Sequence, residues 1–216
     1  MLDVTLAGTR LGLSPERAAY WHDTATWLVA DAHLGKAQAF RRAGLPVPGG
    51  TTATMLARLD RLLASAPARR IVFLGDLLHA ASGRSAAVLG AVAAWRAERA
   101  DLDMVLVRGN HDAHAGDPPA AWRVAVVDEP WCQGPFALCH HPQAVAGHYA
   151  LAGHTHPVVW LGGRGPGRLR LPCFHFGPEQ GVLPAFGEFT GGHALPVRPG
   201  DRVFAVADDT VRAVPA

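Results

Sequence analysis

Five short stretches of this chain set carboxylate, amide and imidazole side chains where apolar runs end. Asp31-Ala32-His33 follows the run 25–30, and Gly75-Asp76 follows 71–74. Gly109-Asn110-His111-Asp112 follows 104–107, His140-His141 closes the run from Phe136, and Gly153-His154-Thr155-His156 follows 149–152. In extended backbone, residues i and i+2 point to the same side. Asp31 with His33, and His154 with His156, would then each aim two donors at one point, as a metal requires. A carboxylate at the mouth of a buried strand is costly unless something compensates it. Asp76 can be a helix N-cap, or its two oxygens can bridge two cations. Asn110 offers a neutral carbonyl ligand, and Asp112 can orient His111. Gly-Asn also favours a tight turn. His140 and His141, adjacent in extended backbone, face opposite ways, so one of them enters a shared site. Each stretch alone can be a solvated turn or a pair of surface histidines. Five in this order are not explained by unrelated turns.

The elements that must position them follow from periodicity. Residues 25–30, 71–74 and 104–107 read as buried strands. Thr51 to Ser65 has Met55, Leu56, Leu59, Leu62 and Leu63 at helical spacing, with Arg58 and Arg61 outward. Residues 85–99 read as a second helix with Val88, Leu89, Val92 and Trp95 on one face. This βαβαβ order predicts helices packed on a sheet. Beyond Val124 strand-like runs follow one another with little helix: 123–127, 136–140, 149–152, 158–161, 169–174 and 203–207. The glycine-rich stretch 162–167 reads as a hairpin turn. No linker, internal repeat or low-complexity segment divides the chain, so residues 1–216 read as one domain.

Composition bounds the alternatives. With 216 residues and 49% apolar content, the chain can build a sizeable core, and wholesale disorder is excluded. No apolar run approaches the ~18 residues of a membrane span, and the first residues do not read as a secretory signal. Cys132, Cys139 and Cys173 have no CxxC spacing and fit a reducing cytoplasm better than a disulfide framework or a thiolate zinc site. The net charge of +2 does not mark a nucleic-acid binder by bulk charge, and a local basic patch could still serve. Of the 20 basic residues only Lys36 is lysine. The 12 histidines outnumber Phe, Trp or Tyr taken singly. The six tryptophans could stack bases, but several lie in apolar runs and fit core packing better.

The order D-x-H, G-D, G-N-H-D, H, G-H-x-H over residues 31 to 156 resembles the calcineurin-like metallophosphoesterase superfamily. The resemblance implies a four-layered α/β/β/α sandwich and a binuclear metal site. It assigns Asp31, His33, Asp76 and His156 to one cation, and Asp76, Asn110, His140 and His154 to the other, with Asp76 shared. The fourth station of the superfamily commonly ends His-Gly, and His141 stands in the place of that glycine. His111 corresponds to the family's catalytic histidine near the scissile phosphate, which stabilises charge or protonates the leaving oxygen, and Asp112 would orient it. Oxygen and imidazole donors suit Mn²⁺, with Fe²⁺ or Zn²⁺ also fitting.

Many phosphatase-like members carry Asp-Arg after the second station. Here Gly75-Asp76-Leu77-Leu78-His79 places His79 there, and GDLLH with GNHD resembles the repair-nuclease branch. Asp31 to Lys36, Phe40-Arg41-Arg42-Ala43-Gly44, His140-His141-Pro142, Leu171-Pro172-Cys173-Phe174 and Leu183-Pro184-Ala185-Phe186-Gly187 look like the bacterial DNA-ligase-associated metallophosphoesterases. That similarity spans nearly the whole chain. It implies a cytoplasmic, manganese-dependent phosphodiesterase, an endonuclease on single-stranded DNA in DNA repair. It also implies a functional association with an ATP-dependent DNA ligase and a helicase. The alternative is a phosphodiesterase or phosphatase for a small nucleotide or metabolite. Lys36, Arg41 and Arg42 follow the first station and can contact flanking phosphates. Arg164, Arg168 and Arg170 form a second basic cluster that solubility alone would explain. A homodimer would enlarge the substrate-binding surface.

Overall fold

Apolar runs buried on both faces build the centre of the first sheet. The computed structural model describes residues 1–162 and 167–215. Strands β1 (Leu2–Leu6), β2 (Thr9–Ser14), β3 (Ala18–Trp21), β4 (Thr26–Val29), β5 (Arg70–Leu74), β6 (Asp103–Val107) and β7 (Val124–Val127) lie side by side in chain order. β1 to β4 pair antiparallel, and β4 to β7 pair parallel. The parallel members are joined through α1 (Lys36–Arg42), α2 (Thr51–Ser65), α3 (Ala86–Ala97) and α4 (Asn110–Ala115). Ser85 caps α3 by accepting the Val88 N–H at 3.3 Å. Met55, Leu59 and Leu62 of α2 and Val92 and Trp95 of α3 pack on Trp27, Ile71, Phe73 and Leu106.

The second sheet is made of β8 (Trp131–Gln133), β9 (Phe136–Leu138), β10 (Tyr149–Ala152), β11 (Pro157–Leu161), β12 (Leu169–Phe176), β13 (Gln180–Val182), β14 (His193–Ala194), β15 (Arg202–Ala207) and β16 (Thr210–Val214). Its path runs β14-β11-β12-β13-β10-β9-β8, with β15 and β16 added through β12. The sheets face each other across one core that includes Leu11, Leu13, Leu28, Leu74, Phe136, Leu151, Phe174 and Phe204. On the outer face of the second sheet, Val145 packs over Ala137, Cys139 and Ala152. No α-helix lies beyond α4 among the described residues.

Register decides the position of the site. Val29 pairs with Phe73 and Leu74 with Val107, so the residues after β4, β5 and β6 emerge at one edge. In the second sheet Leu138 pairs with Leu151, and the Gly153 N–H reaches the His140 carbonyl at 3.1 Å. A bridge between Ala30 and Ala185 joins that edge to the loop after β13.

Several sequence expectations change. β1 to β3 add three antiparallel strands before the βαβαβ unit. The strand expected over 136–140 stops at Leu138. Arg58 does not project into solvent: it donates to the Phe186 carbonyl at 2.5 Å and meets Glu16 at 3.2 Å. Trp21, Trp27, Trp95 and Trp122 are buried, whereas Trp160 is exposed with Arg168 over its ring. The 162–167 turn and Arg164 fall on or across residues outside those described. Arg170 donates to the Gly192 carbonyl at 2.5 Å. The three cysteines are free thiols, and no described helix is long and apolar enough to cross a membrane.

Candidate metal centre

Asp31 and Asp76 lie at the floor of the shared edge, both essentially inaccessible to solvent. The loops that carry them pair with each other beyond the strands. His33 N donates to the Asp76 carbonyl at 2.8 Å, and Leu34 N donates to that of Leu77 at 2.8 Å. Asp31 accepts the His154 N–H at 2.9 Å, which ties the first sheet to the second. Asp76 accepts the His111 N–H through Oδ1 at 3.0 Å.

The donors converge by a route that strand alternation does not describe. Asp31, His33, Asp76, His154 and His156 all have positive φ, between 48° and 68° for the last two and near 50° for the rest. Left-handed backbone turns each pair of side chains to one side, at a conformational cost that the surrounding loops sustain. The residues of each pair come together, but through left-handed backbone and not through the strand alternation expected from the i, i+2 spacing. Gly75 is required by packing: a Cβ there would lie 2.0 Å from His140 Nδ1.

Two lobes result. In the first, His156 Nε2 stands 3.4 Å from Asp31 Oδ1 and 3.4 Å from His33 Nε2, and His33 Nε2 is 3.7 Å from Asp76 Oδ2. In the second, His140 Nε2 stands 2.9 Å from Asn110 Oδ1, 3.1 Å from His154 Nδ1 and 3.4 Å from Asp76 Oδ1. The two oxygens of Asp76 thus face different lobes. Carbonyls hold the far nitrogens of two rings: Leu74 takes His140 Nδ1 at 3.1 Å, and Thr190 takes His156 Nδ1 at 2.8 Å. This leaves Nε2 free as a lone-pair donor, the usual outer arrangement around a metal-bound histidine.

Electrostatics agrees with a cation. Burial pushes the Asp76 carboxyl up, the His111 N–H opposes this, and nearby Asp31 raises it further. Burial drives His33 far down, helped by Lys36, His156, His111 and His79. Burial also lowers His140 and His154. At His156 burial is outweighed by the hydrogen bond and charge of Asp31, and its pKa is raised. Among the described residues no lysine or arginine ion-pairs with Asp31 or Asp76. Two buried carboxylates, with His33, His140 and His154 shifted toward the neutral form, call for a positive charge that a divalent ion can supply. Asp31, His33 and His156 can hold one ion, and Asp31, Asp76 and His140 are likewise close enough to share one.

His111 and His79 stand beside the first lobe. Their rings stack with centroids 4.7 Å apart, and both meet the His33 ring edge-on. His111 Nδ1 lies 2.7 Å from the His79 carbonyl, and its Nε2 is 4.0 Å from Asp76 Oδ2. Burial first, then Lys36 and His111, lowers His79 to about 4. Asp112 does not orient the His111 ring as expected. Its carboxylate accepts from the Leu78 N–H at 2.8 Å and the Gly109 N–H at 3.0 Å, because α4 turns it back toward the loop after β5. It fixes that loop, and the His79 carbonyl fixes His111.

His141 does not turn away from the site. Its ring lies 4.6 Å from that of His140 and 4.4 Å from that of His154, because the strand ends before both residues. Glu129, which no motif singles out, accepts both backbone N–H groups at 2.7 and 2.8 Å and meets His141 Nδ1 at 2.5 Å. Burial would raise Glu129, but the hydrogen bonds from His141 and from both backbone amides bring it below its usual value.

Of the basic residues, Lys36 lies beside the centre, where burial lowers its pKa against the raising effect of Asp76 and Asp31. Arg41 donates to the Pro48 carbonyl at 2.8 Å and Arg42 to that of Ser82 at 2.9 Å, so both brace neighbouring loops.

No protein-family model and no curated protein sequence matches the chain. Solved structures do. The Pseudomonas putida nuclease MPE is 44% identical, with 99% of each chain covered and a TM-score of 0.88. Yfce, a phosphoesterase from E. coli, is 19% identical over 88% of this chain and 97% of that one, with a TM-score of 0.46. Full-length identity at the level of the first comparison, with the five stations meeting at one edge, places this chain in the calcineurin-like metallophosphoesterase superfamily, in the branch of the P. putida nuclease, as a hydrolase of phosphoester bonds.

Proposed function

We propose that the chain is a binuclear-metal phosphodiesterase that cuts single-stranded DNA internally. One observation carries this reading: a two-lobed carboxylate and imidazole cluster in a protein 44% identical, end to end, to a nuclease. Asp31, His33, Asp76 and His156 would hold one ion, and Asp76, Asn110, His140 and His154 the other. Mn²⁺ is the proposed metal, and Fe²⁺ or Zn²⁺ suits the same donors. Held there, such ions would supply Lewis-acid activation of water and stabilisation of the charge that develops on the phosphate.

The protein's own groups supply the rest. The opposed Asp76 oxygens, 3.7 Å from His33 Nε2 and 3.4 Å from His140 Nε2, set the two lobes relative to each other. His111, pinned at Nδ1 by the His79 carbonyl, presents Nε2 to the departing oxygen and stabilises its charge or protonates it. Asp112 keeps the loop that holds His111 in place. His79, stacked on His111, lines the path of the leaving strand. Lys36 contacts a flanking phosphate, with Arg41 and Arg42 beside it.

The same reading places residues 1–216 in one cytoplasmic domain that acts in DNA repair with an ATP-dependent ligase and a helicase, as a homodimer. Manganese-loaded protein should cleave circular single-stranded DNA in preference to duplex DNA and RNA. Cleavage of nucleotides alone would replace this reading with that of a metabolite phosphodiesterase. Light scattering tests the dimer, and co-purification tests the ligase and helicase.

A further inference from the structure

The segment between β13 and β14 passes the first lobe and carries an aromatic ring in the open. Phe189 is 45% exposed, and its φ is +58°. Eleven non-glycine residues have positive φ among the described residues, and five of the others are Asp31, His33, Asp76, His154 and His156. Sparsely populated backbone of this kind collects at functional sites.

The loop that carries Phe189 is anchored on both sides to the residues proposed as ligands. Phe186 N and Gly187 N donate to the Ala30 and Asp31 carbonyls at 2.8 and 3.0 Å. A Cβ at Gly187 would lie 2.4 Å from the Ala32 carbonyl oxygen, so the backbone must approach bare. Arg58 donates to the Phe186 carbonyl at 2.5 Å and stands 3.8 Å from the Glu188 carboxylate. Beyond Phe189, the Thr190 carbonyl takes His156 Nδ1, and the Thr190 hydroxyl donates to the Gly187 carbonyl at 3.3 Å. The backbone on either side of Phe189 is therefore held beside the centre, and the ring projects into the open. Phe189 borders, with His33, Lys36, Thr51, Thr52 and Glu188, a recess of about 20 Å³, room for one water, so the ring and the ammonium meet a ligand at its outer rim.

An exposed flat apolar face and a cation at one rim match one nucleotide lying across it: the ring for the base, the ammonium for the phosphate. We propose that Phe189 and Lys36 form a subsite for one unpaired nucleobase and its phosphate next to the scissile bond. This rests on the nuclease reading. Aromatic stacking accepts any base, because every base has a π-face. A base inside a duplex has both faces covered by its neighbours, so the subsite selects single strands.

The test compares an oligothymidylate with an abasic oligonucleotide of equal length, on manganese-loaded wild type, Phe189→Ala, Phe189→Leu and Phe189→Trp, with metal content measured for each. Wild type should prefer the oligothymidylate. Phe189→Ala should raise KM for that substrate by about 5- to 100-fold, the fold-change of one lost base stack. The effect should fall on KM, not kcat, and should spare the abasic substrate. Phe189→Trp should keep the preference, and Phe189→Leu should lose it with Phe189→Ala. An unchanged KM in Phe189→Ala, or an equal rise on both substrates, overturns the subsite and leaves the nuclease reading standing. If wild type cleaves neither polymer but hydrolyses a nucleotide, the nuclease reading fails and the subsite fails with it.

Discussion

Behind His140 stand a carbonyl and the reach of a carboxylate; around His33 stand three more imidazoles. The Leu74 carbonyl holds His140 Nδ1, and Glu129 grips the His140-His141 backbone through both amides. His33 instead packs edge-on against His79, His111 and His156, at centroid separations of 5.3, 4.9 and 5.3 Å, with Lys36 close by. One lobe is fixed by acceptors. The other has a carbonyl behind His156 and, besides, crowds further imidazoles and Lys36 around His33, whose pKa burial lowers. On the proposed reading, anchorage would belong to the second lobe and substrate handling to the first.

The largest perturbation removes what the lobes share. Asp76→Ala should abolish hydrolysis and strip metal from both lobes, whereas Asn110→Ala weakens only one. Elemental analysis showing full occupancy in Asp76→Ala would break the shared-carboxylate account. Next, His140→Ala should be far more damaging than His141→Ala. His140 is fully buried with Nε2 at Asn110 and Asp76, and His141 is engaged by Glu129. Equal loss, or the reverse ranking, would make the His141 ring a ligand in its own right.

His111→Ala should lower turnover on every diester by about 10²–10⁴-fold while metal stays bound. Loss of metal in that variant would move His111 from chemistry to coordination. Glu129→Gln should cost about 10–100-fold in metal affinity. The loss should appear at one ion of two in a titration followed by calorimetry, and loss at both sites would show that the lobes are not separately supported. The smallest effect is expected at His79. His79→Asn should slow DNA cleavage by about tenfold, the worth of one hydrogen bond to substrate, and slow a small chromogenic diester less. Equal slowing of the two substrates would remove His79 from substrate handling.

Much of the centre is legible from residue types alone. Asp31, His33, Asp76, Asn110, His140, His154 and His156 each stand behind an apolar run, and parallel pairing brings the ends of such runs to one edge. The antiparallel β1 to β3 were also open to reading, since Val4 and Leu6, then Leu11 and Leu13, alternate as half-buried strands do. The αL backbone at the donors was not legible, because only glycine advertises positive φ and here aspartate and histidine adopt it. The short helices α1 and α4 were hidden too. α4 begins at its station and α1 three residues beyond His33, where a tight turn has the same local sequence.

The sequence by itself determined which side chains can bind a divalent ion and that the ends of five apolar runs carry them. Residue chemistry and hydrophobic period are local, and a single chain displays them in full. Tertiary structure alone decided three things. Asp112 braces a loop and the His79 carbonyl orients His111; Glu129 supports the second lobe from eleven residues before His140; and the loop after β13 brings Phe189 to the first. Each depends on a hydrogen bond or a close backbone approach between segments far apart in the chain. Distances of that kind are fixed by strand register and loop geometry, which no run of residues records.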